Sequence, residues 1–118
     1  MPSVLDTILI EKIVNTPTTV STDYQTPSID ISNREDEFAI QLDYDGGVNV
    51  DMEVSMAVSN DNVTFVPIID STHTITDPSG TSIFDVSGTG TNYLRIEITV
   101  TTGSIDVQQV LYKAKRRH

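Results

Sequence analysis

Val50 to Ile69, VDMEVSMAVSNDNVTFVPII, is the stretch from which the fold is read. Apolar residues stand at Val50, Met52, Val54, Met56 and Val58, and Asp51, Glu53, Ser55, Ala57 and Ser59 lie between them. A strand turns successive side chains to opposite faces, so this segment buries one face and wets the other. Asn60, Asp61 and Asn62 follow, residue types that tolerate a left-handed backbone and hydrogen-bond their own turns. Val63-Thr64-Phe65-Val66-Pro67-Ile68 then resumes the chain, which predicts a hairpin.

The same pattern recurs outward in both directions. Glu37 to Asp45 alternates with Phe38, Ile40, Leu42 and Tyr44 on one face, and Asp45-Gly46-Gly47 reads as a second hairpin turn opening the strand from Val48. Short strands are expected near Val20 to Tyr24 and over Ser28 to Ser32. Thr72 to Thr76 leads into the turn Asp77-Pro78-Ser79-Gly80, and Thr81 to Val86 is the next strand. Tyr93 to Thr101 places Leu94, Ile96, Ile98 and Val100 inward. Thr102-Gly103 is expected to turn the chain, and Ser104 to Tyr112 to return with a bulge near Gln108-Gln109, where the phase shifts from Ile105 and Val107 to Val110 and Tyr112. Thr, Val and Ile dominate these segments, and such β-branched residues suit a pleated surface. The expectation is an all-β chain, an antiparallel β-sandwich or jelly roll of about eight strands with an N-terminal extended arm.

The 118 residues suit one core. The expected division is an arm or first strand over 1–14, a β-sandwich domain over 15–112 and a basic tail over 113–118. In the first segment Val4, Ile8, Ile10 and Val14 face one way and Leu5, Leu9 and Ile13 the other if it is a strand. A helix would instead gather Leu5, Ile8, Leu9 and Ile13 into a stripe. Strand or arm is the preferred reading, and Leu5, Ile8, Leu9 and Ile10 are candidate interface residues. The net charge of −10 is uneven: residues 1–112 carry −14, and Lys113, Lys115, Arg116 and Arg117 return +4. An acidic body repels phosphates, so direct nucleic-acid binding is not expected. Lys115, Arg116 and Arg117 are candidate contacts to an acidic neighbour, including a second copy. The alternative is a solvated terminus. No basic n-region precedes the apolar N-terminal residues, and no apolar run reaches the ~18 residues of a spanning helix, so a soluble protein made in the cytoplasm and without membrane contact is expected.

The chemistry-bearing constellations are weak. There is no cysteine. Asp70, Ser71 and His73 are close in sequence, but a nucleophilic triad draws its base and orienting group from separate segments, and no G-x-S-x-G elbow is present. Asp43, Asp45, Asn49, Asp51 and Glu53 offer oxygen ligands, yet the glycine that a calcium loop requires falls on Val48. A solvated acidic edge that discourages strand pairing is the preferred reading. No Trp is present, the three Phe lie mostly in core phase, and Gly88-Thr89-Gly90 lacks the further glycine and helix of a phosphate cradle. No enzyme activity, metal or cofactor is expected. Arg95 is expected to pair with a carboxylate on a neighbouring strand, and Arg95 and Tyr93 are the candidate ligand contacts.

Ser55 to Ile69, with its Ser-Asn-Asp-Asn-Val-Thr-Phe-Val-Pro-Ile core, resembles the strand, S-x-D-G-x-x-F, strand hairpin of small phage virion β-sandwich proteins. Phe84-Asp85-Val86-Ser87-Gly88, Asn92-Tyr93-Leu94-Arg95-Ile96, a Thr-Gly-Ser hairpin and a final strand ending at Lys113 continue the likeness. The likeness covers about the second half of the chain, with Asp61-Asn62 where the pattern has Asp-Gly. It implies a capsid decoration, cement or auxiliary structural protein on the virion surface, often a homotrimer, whose partners are copies of itself and the major capsid protein. Tyr93-Leu94-Arg95-Ile96 is also similar to galactose-binding-like sandwiches of the discoidin type. That likeness implies the alternative, a carbohydrate-binding module of a phage tail or fibre.

Overall fold

Two long strands carry the structure. In the computed structural model, which describes residues 8–14, 16–32, 34–68, 72–86 and 91–116, β5 (Arg34–Ser59) and β9 (Tyr93–Arg116) run antiparallel along their whole length, from Arg34 opposite Arg116 to Ser59 opposite Tyr93. The outer side of β9 is lined in turn by β1 (Ile8–Val14), β2 (Thr18–Val20), β3 (Tyr24–Gln25) and β4 (Ile29–Asp30). The outer side of β5 is lined by β8 (Gly80–Val86), β7 (His73–Ile75) and β6 (Val66–Pro67). All nine strands of the described residues belong to one antiparallel sheet, four tracks wide, against the eight or so expected.

The sheet is curled. A 26-residue strand at about 3.3 Å per residue would reach roughly 86 Å if straight, whereas the longest dimension of the molecule is 52 Å. The bend crosses all four tracks at one level: between β2 and β3, within β5 at Asp45–Asp51, within β9 at Thr102–Ser104, and between β7 and β8. Three left-handed residues mark it, Gly46 (φ 62), Asn49 (φ 50) and Gly103 (φ 82). From Asp45 to Val48 and again to Asp51, β5 advances three residues while β9 advances two, so the extra residues lengthen one track and turn the ladder. Ties between tracks hold the corner. The Gly47 N–H donates to the Pro78 carbonyl at 2.8 Å, the Thr102 hydroxyl to the Asn49 carbonyl at 2.9 Å, and the Val100 N–H to Asp23 Oδ1 at 2.9 Å.

Two expected turns are therefore corrected. Asp45-Gly46-Gly47 and Thr102-Gly103 do not close hairpins, and the chain continues through both in the same ladder. The positive φ that glycine supplies serves a bulge as readily as a primed turn, and the partner strand distinguishes them. Residues 38–44 pair with β8 and β9, not with 48–59. The Asn60–Asn62 hairpin does form, with Asn62 left-handed (φ 61), although its return strand is only Val66–Pro67. Gly80, the last residue of the expected Asp77–Gly80 turn, begins β8 without positive φ.

Burial follows the sequence phase. Ile40, Leu42, Tyr44, Met52, Val54 and Met56 of β5 are buried, as are Leu94, Ile96, Ile98, Ile105, Val107, Val110 and Tyr112 of β9. With Val20, Ile31, Ile75 and the end of β1 they form one cluster drawn from both sides of the bend. The bulge near Gln108-Gln109 is present: Asp43 faces Gln109 and Tyr44 faces Val107, so Gln108 is the extra residue. Residues 8–14, for which the sequence alone allows strand, arm or helix, are a strand paired with Val110–Lys115 of the same chain. Lys113 to Arg116 lie within β9.

Gly103 is the most constrained point of the corner. A Cβ built there would lie 2.2 Å from the Val48 carbonyl oxygen and 2.3 Å from that of Asn49. Gly103→Ala adds this backbone clash to the cost of a left-handed alanine, so the expected loss of stability is at least about 2 kcal/mol. Urea unfolding followed by circular dichroism measures it, and a loss below about 0.5 kcal/mol would mean that the corner is not held as described.

Candidate functional site

The outer face of the sheet carries two polar groupings, built by alternation from residues out of phase with the core, and the loop after β5 forms a third. The first is a row across three strands. Asp43 on β5 accepts from the Thr81 hydroxyl of β8 at 2.6 Å, from Gln109 Nε2 of β9 at 2.6 Å and from Gln41 Nε2 at 3.1 and 3.2 Å. Desolvation opposes the charge of Asp43, but these donors together outweigh it and hold the carboxyl below its usual range. Beside the row, Asp45 accepts from Gln108 and Asp106 from Thr19, each at 2.7 Å. The acidic-edge reading is corrected for Asp43 and Glu53, which have paired strands on both sides, whereas Asp45, Asn49 and Asp51 are exposed where neither β7 nor β8 pairs with β5. Among the described residues no group of three or more His, Cys, Asp or Glu is placed to hold a metal ion.

The second grouping surrounds Arg95. Its guanidinium lies over the Phe65 ring, 4.0 Å from the centroid, and reaches Glu97 Oε2 through Nε at 2.9 Å and Nη2 at 2.7 Å. The carboxylate partner is thus on the same strand two residues on, where period two puts both side chains on one face, and not on a neighbouring strand as expected. Tyr93 is half-buried two residues before Arg95, so the structure places both candidate ligand contacts on the same face of β9. Ala57, in register with Arg95 on one side and Pro67 on the other, is fully buried despite its outward phase. Next to Glu97 a groove of about 380 Å³ is lined by Asp23, Tyr24, Gln25, Glu97, Ile98 and Thr99.

The third is the loop after β5. The Ser59 hydroxyl donates to Asp61 Oδ1 at 2.8 Å and accepts from the Asp61 and Asn62 N–H groups, while Asp61 Oδ1 accepts from the Val63 and Thr64 N–H groups at 2.9 Å. Ser28 donates to Asn62 Oδ1 at 2.6 Å, tying the loop to the segment before β4. These bonds order a loop that presents Val63 at 79% exposure and Val66 at 60%.

Of the other candidate residues, Ile8, Leu9, Ile10, Lys115 and Arg116 fall on the paired β1 and β9 backbones, distant in register from Arg95. Leu5 and Arg117 lie outside the described residues, as do Asp70 and Ser71. His73 is half-buried on β7 opposite Val54. Sequence reasoning missed Phe65, whose place follows a turn that breaks the strand phase. It also missed Thr26, which is buried and uses its N–H and Oγ1 to bond the carbonyl and N–H of Ile96, both at 2.9 Å. An isolated threonine in a threonine-rich loop gives no sign of that role.

No protein-family profile and no curated protein matches the chain in sequence. Solved structures match it in fold. The SPBc2 prophage-derived protein YomS is similar at a TM-score of 0.56 and 9% identity, over 92% of each chain. The VP2 subviral particle protein of infectious bursal disease virus is similar at 0.60 and 9%, over 93% of this chain, which spans only 32% of VP2. A chitosan-binding module from a Paenibacillus chitosanase/glucanase is similar at 0.54 and 12%, over 92% of this chain and 94% of the module. At such identities these proteins share the all-β fold with this chain and nothing more is transferred.

Asp61 supplies a pH test of the loop. Backbone N–H groups of Thr64 and Val63, with the Ser59 hydroxyl, lower its carboxyl to about 2. The folded value lies below the unfolded one of about 3.9, so its stabilisation is complete above that value and is lost as pH falls toward 2. The stability gap between the wild type and Asp61→Ala is expected to be constant from pH 7 to 5 and to narrow from about pH 4 to 2. A gap that stays unchanged over that range, measured by urea unfolding, would contradict the assignment.

Proposed function

We propose that the chain is a non-enzymatic structural protein of a phage or virus particle, working through surface contacts with copies of itself and with the major capsid protein. We read its curled sheet as a sandwich-type fold. The observation that carries this reading is the state of the outer face. Asp43, Asp45 and Arg95, the side chains with most potential for chemistry, are engaged by their own neighbours, while the apolar Val48, Val63, Val66 and Ile83 stand exposed. Exposed apolar side chains on a sheet and its loops offer area for contact between surfaces, and repetition over many copies makes a modest contact effective. The likeness to YomS and VP2 is consistent with such a role. An antibody against the chain is expected to label particles purified from the source after infection or prophage induction. Particles that carry none of the protein by labelling and by mass spectrometry would overturn the reading.

A second reading, a glycan-binding module, has one observation in its favour. The groove lined by Asp23, Gln25 and Thr99 adjoins an arginine already oriented by Phe65 and Glu97, with Tyr93 on the same face. Preoriented polar groups beside an aromatic ring suit a polyhydroxylated ligand. If this reading holds, a glycan array gives hits that Arg95→Ala and Tyr93→Ala remove while the far-side variant Ile83→Ser retains them. An array without hits would exclude it for the glycans displayed.

A further inference from the structure

The edges of the sheet are unequal. Around the half that contains β3, β4, β6 and β7, the edge strands are two or three residues long, and Pro67 stands in one of them. Short edge strands and proline are the usual protection against pairing with another chain. In the other half, β1 and β8 are both seven residues long, and among the described residues no strand pairs with the outer side of either. β1 carries Glu11 and Lys12. β8, Gly-Thr-Ser-Ile-Phe-Asp-Val, has no lysine, arginine or proline, and Ile83 at its midpoint is 55% exposed. It is a long edge with a single charge, Asp85 near its end, and an apolar residue at its centre.

We infer that β8 is a homodimer interface, in which the β8 strands of two copies pair antiparallel about a two-fold axis at Ile83 and join two sheets into one. Three observations select a second copy as the occupant. The register centred on Ile83 is the one that overlaps all seven residues of both strands, since Ile83 is the middle of Gly80–Val86. It places Ile83 opposite Ile83, Ser82 opposite Phe84, Thr81 opposite Asp85 and Gly80 opposite Val86, so no two like charges meet. The same operation on β1 sets Glu11 against Glu11, a like-charge pair that opposes association. Ile83 is also in register with Gln41, which is out of phase with the buried Ile40 and Leu42, so a two-fold axis perpendicular to the sheet brings the two isoleucines together on the outer face. The contact deepens the structural-protein reading and is separate from the trimer grouping that the sequence resemblance implies.

The absence of cysteine from the chain makes the register testable with single thiols. Residues directly opposite in an antiparallel pair lie within disulfide reach. Sedimentation equilibrium of the full chain is expected to show a concentration-dependent dimer. Ile83→Lys should weaken it at least about tenfold, through lost apolar contact and two opposed ammonium groups, while its circular dichroism stays that of the wild type and its thermal unfolding matches the wild type's at concentrations where both are monomeric. Under mild oxidation Ile83→Cys should yield a covalent dimer, and Thr81→Cys, whose opposite position is Asp85, should not. A wild type that stays monomeric up to about 1 mM would overturn the inference. So would equal cross-linking at both positions, or cross-linking only between Ile83→Cys and Ile10→Cys chains, which would assign a head-to-tail contact of β8 with β1. Particle labelling is unaffected by these outcomes: a labelled particle with a monomeric protein removes the dimer alone, and a dimer absent from particles removes the structural-protein reading alone.

Discussion

The bend shared by β5 and β9 is the constraint on which the structure depends. A flat four-track ribbon would leave its entire apolar face in water. Curling it lets Met52, Val54 and Ile98 on one side of the corner join the same core as Leu42, Ile105 and Val107 on the other. At ~25 cal/mol per Å² of buried apolar surface that burial is the main force for folding, and the corner makes it available. Left-handed backbone at Gly46, Asn49 and Gly103, and three-residue steps set against two-residue steps, turn the ladder while the strands on either side remain paired.

The bend also divides the edges. A track that changes direction is broken into short pieces where it lacks a continuous partner, so β2, β3, β4, β6 and β7 are fragments. Short fragments expose few backbone donors and acceptors to another chain. Only β1 and β8 keep their length, and both lie in the same half. The device that closes the core therefore decides where the molecule is open to others.

The outer face follows a different logic. Alternation sends Gln41, Asp43, Arg95 and Glu97 outward, but these side chains are not left to solvent. Asp43 is held by donors from two neighbouring strands, and Arg95 is laid on Phe65 and bonded to Glu97. The Asp43 bonds, which cross between strands, fix register across the sheet as well as adding stability, since they form only when the strands are correctly aligned. With these groups committed to the scaffold, the exposed apolar side chains and the strand edges remain as contact surface among solvated polar residues such as Asp51, Glu53 and Thr99.

Residue by residue, much of this is legible in the sequence. Period-two alternation located Ile40, Leu42, Met52, Val54, Met56, Leu94, Ile96 and Ile98 as core, and the phase shift at Gln108-Gln109 disclosed a bulge, because both depend only on which way successive side chains point. The left-handed Asn62 was likewise local. What neighbours a strand was not. Gly46-Gly47 and Gly103 carry the same backbone freedom whether they end a hairpin or bend a ribbon, and the choice rests on pairings between residues some 60 positions apart in the chain, such as Asp43 with Gln109 and Asp45 with Asp106. For the same reason the partner of Arg95, the place of Phe65, the interior position of β5 and the open edge of β8 emerged only from the tertiary structure. Local chemistry determines which face of each strand is apolar. The assembled sheet decides which strands are interior, which are edges, and hence which surface remains for a partner.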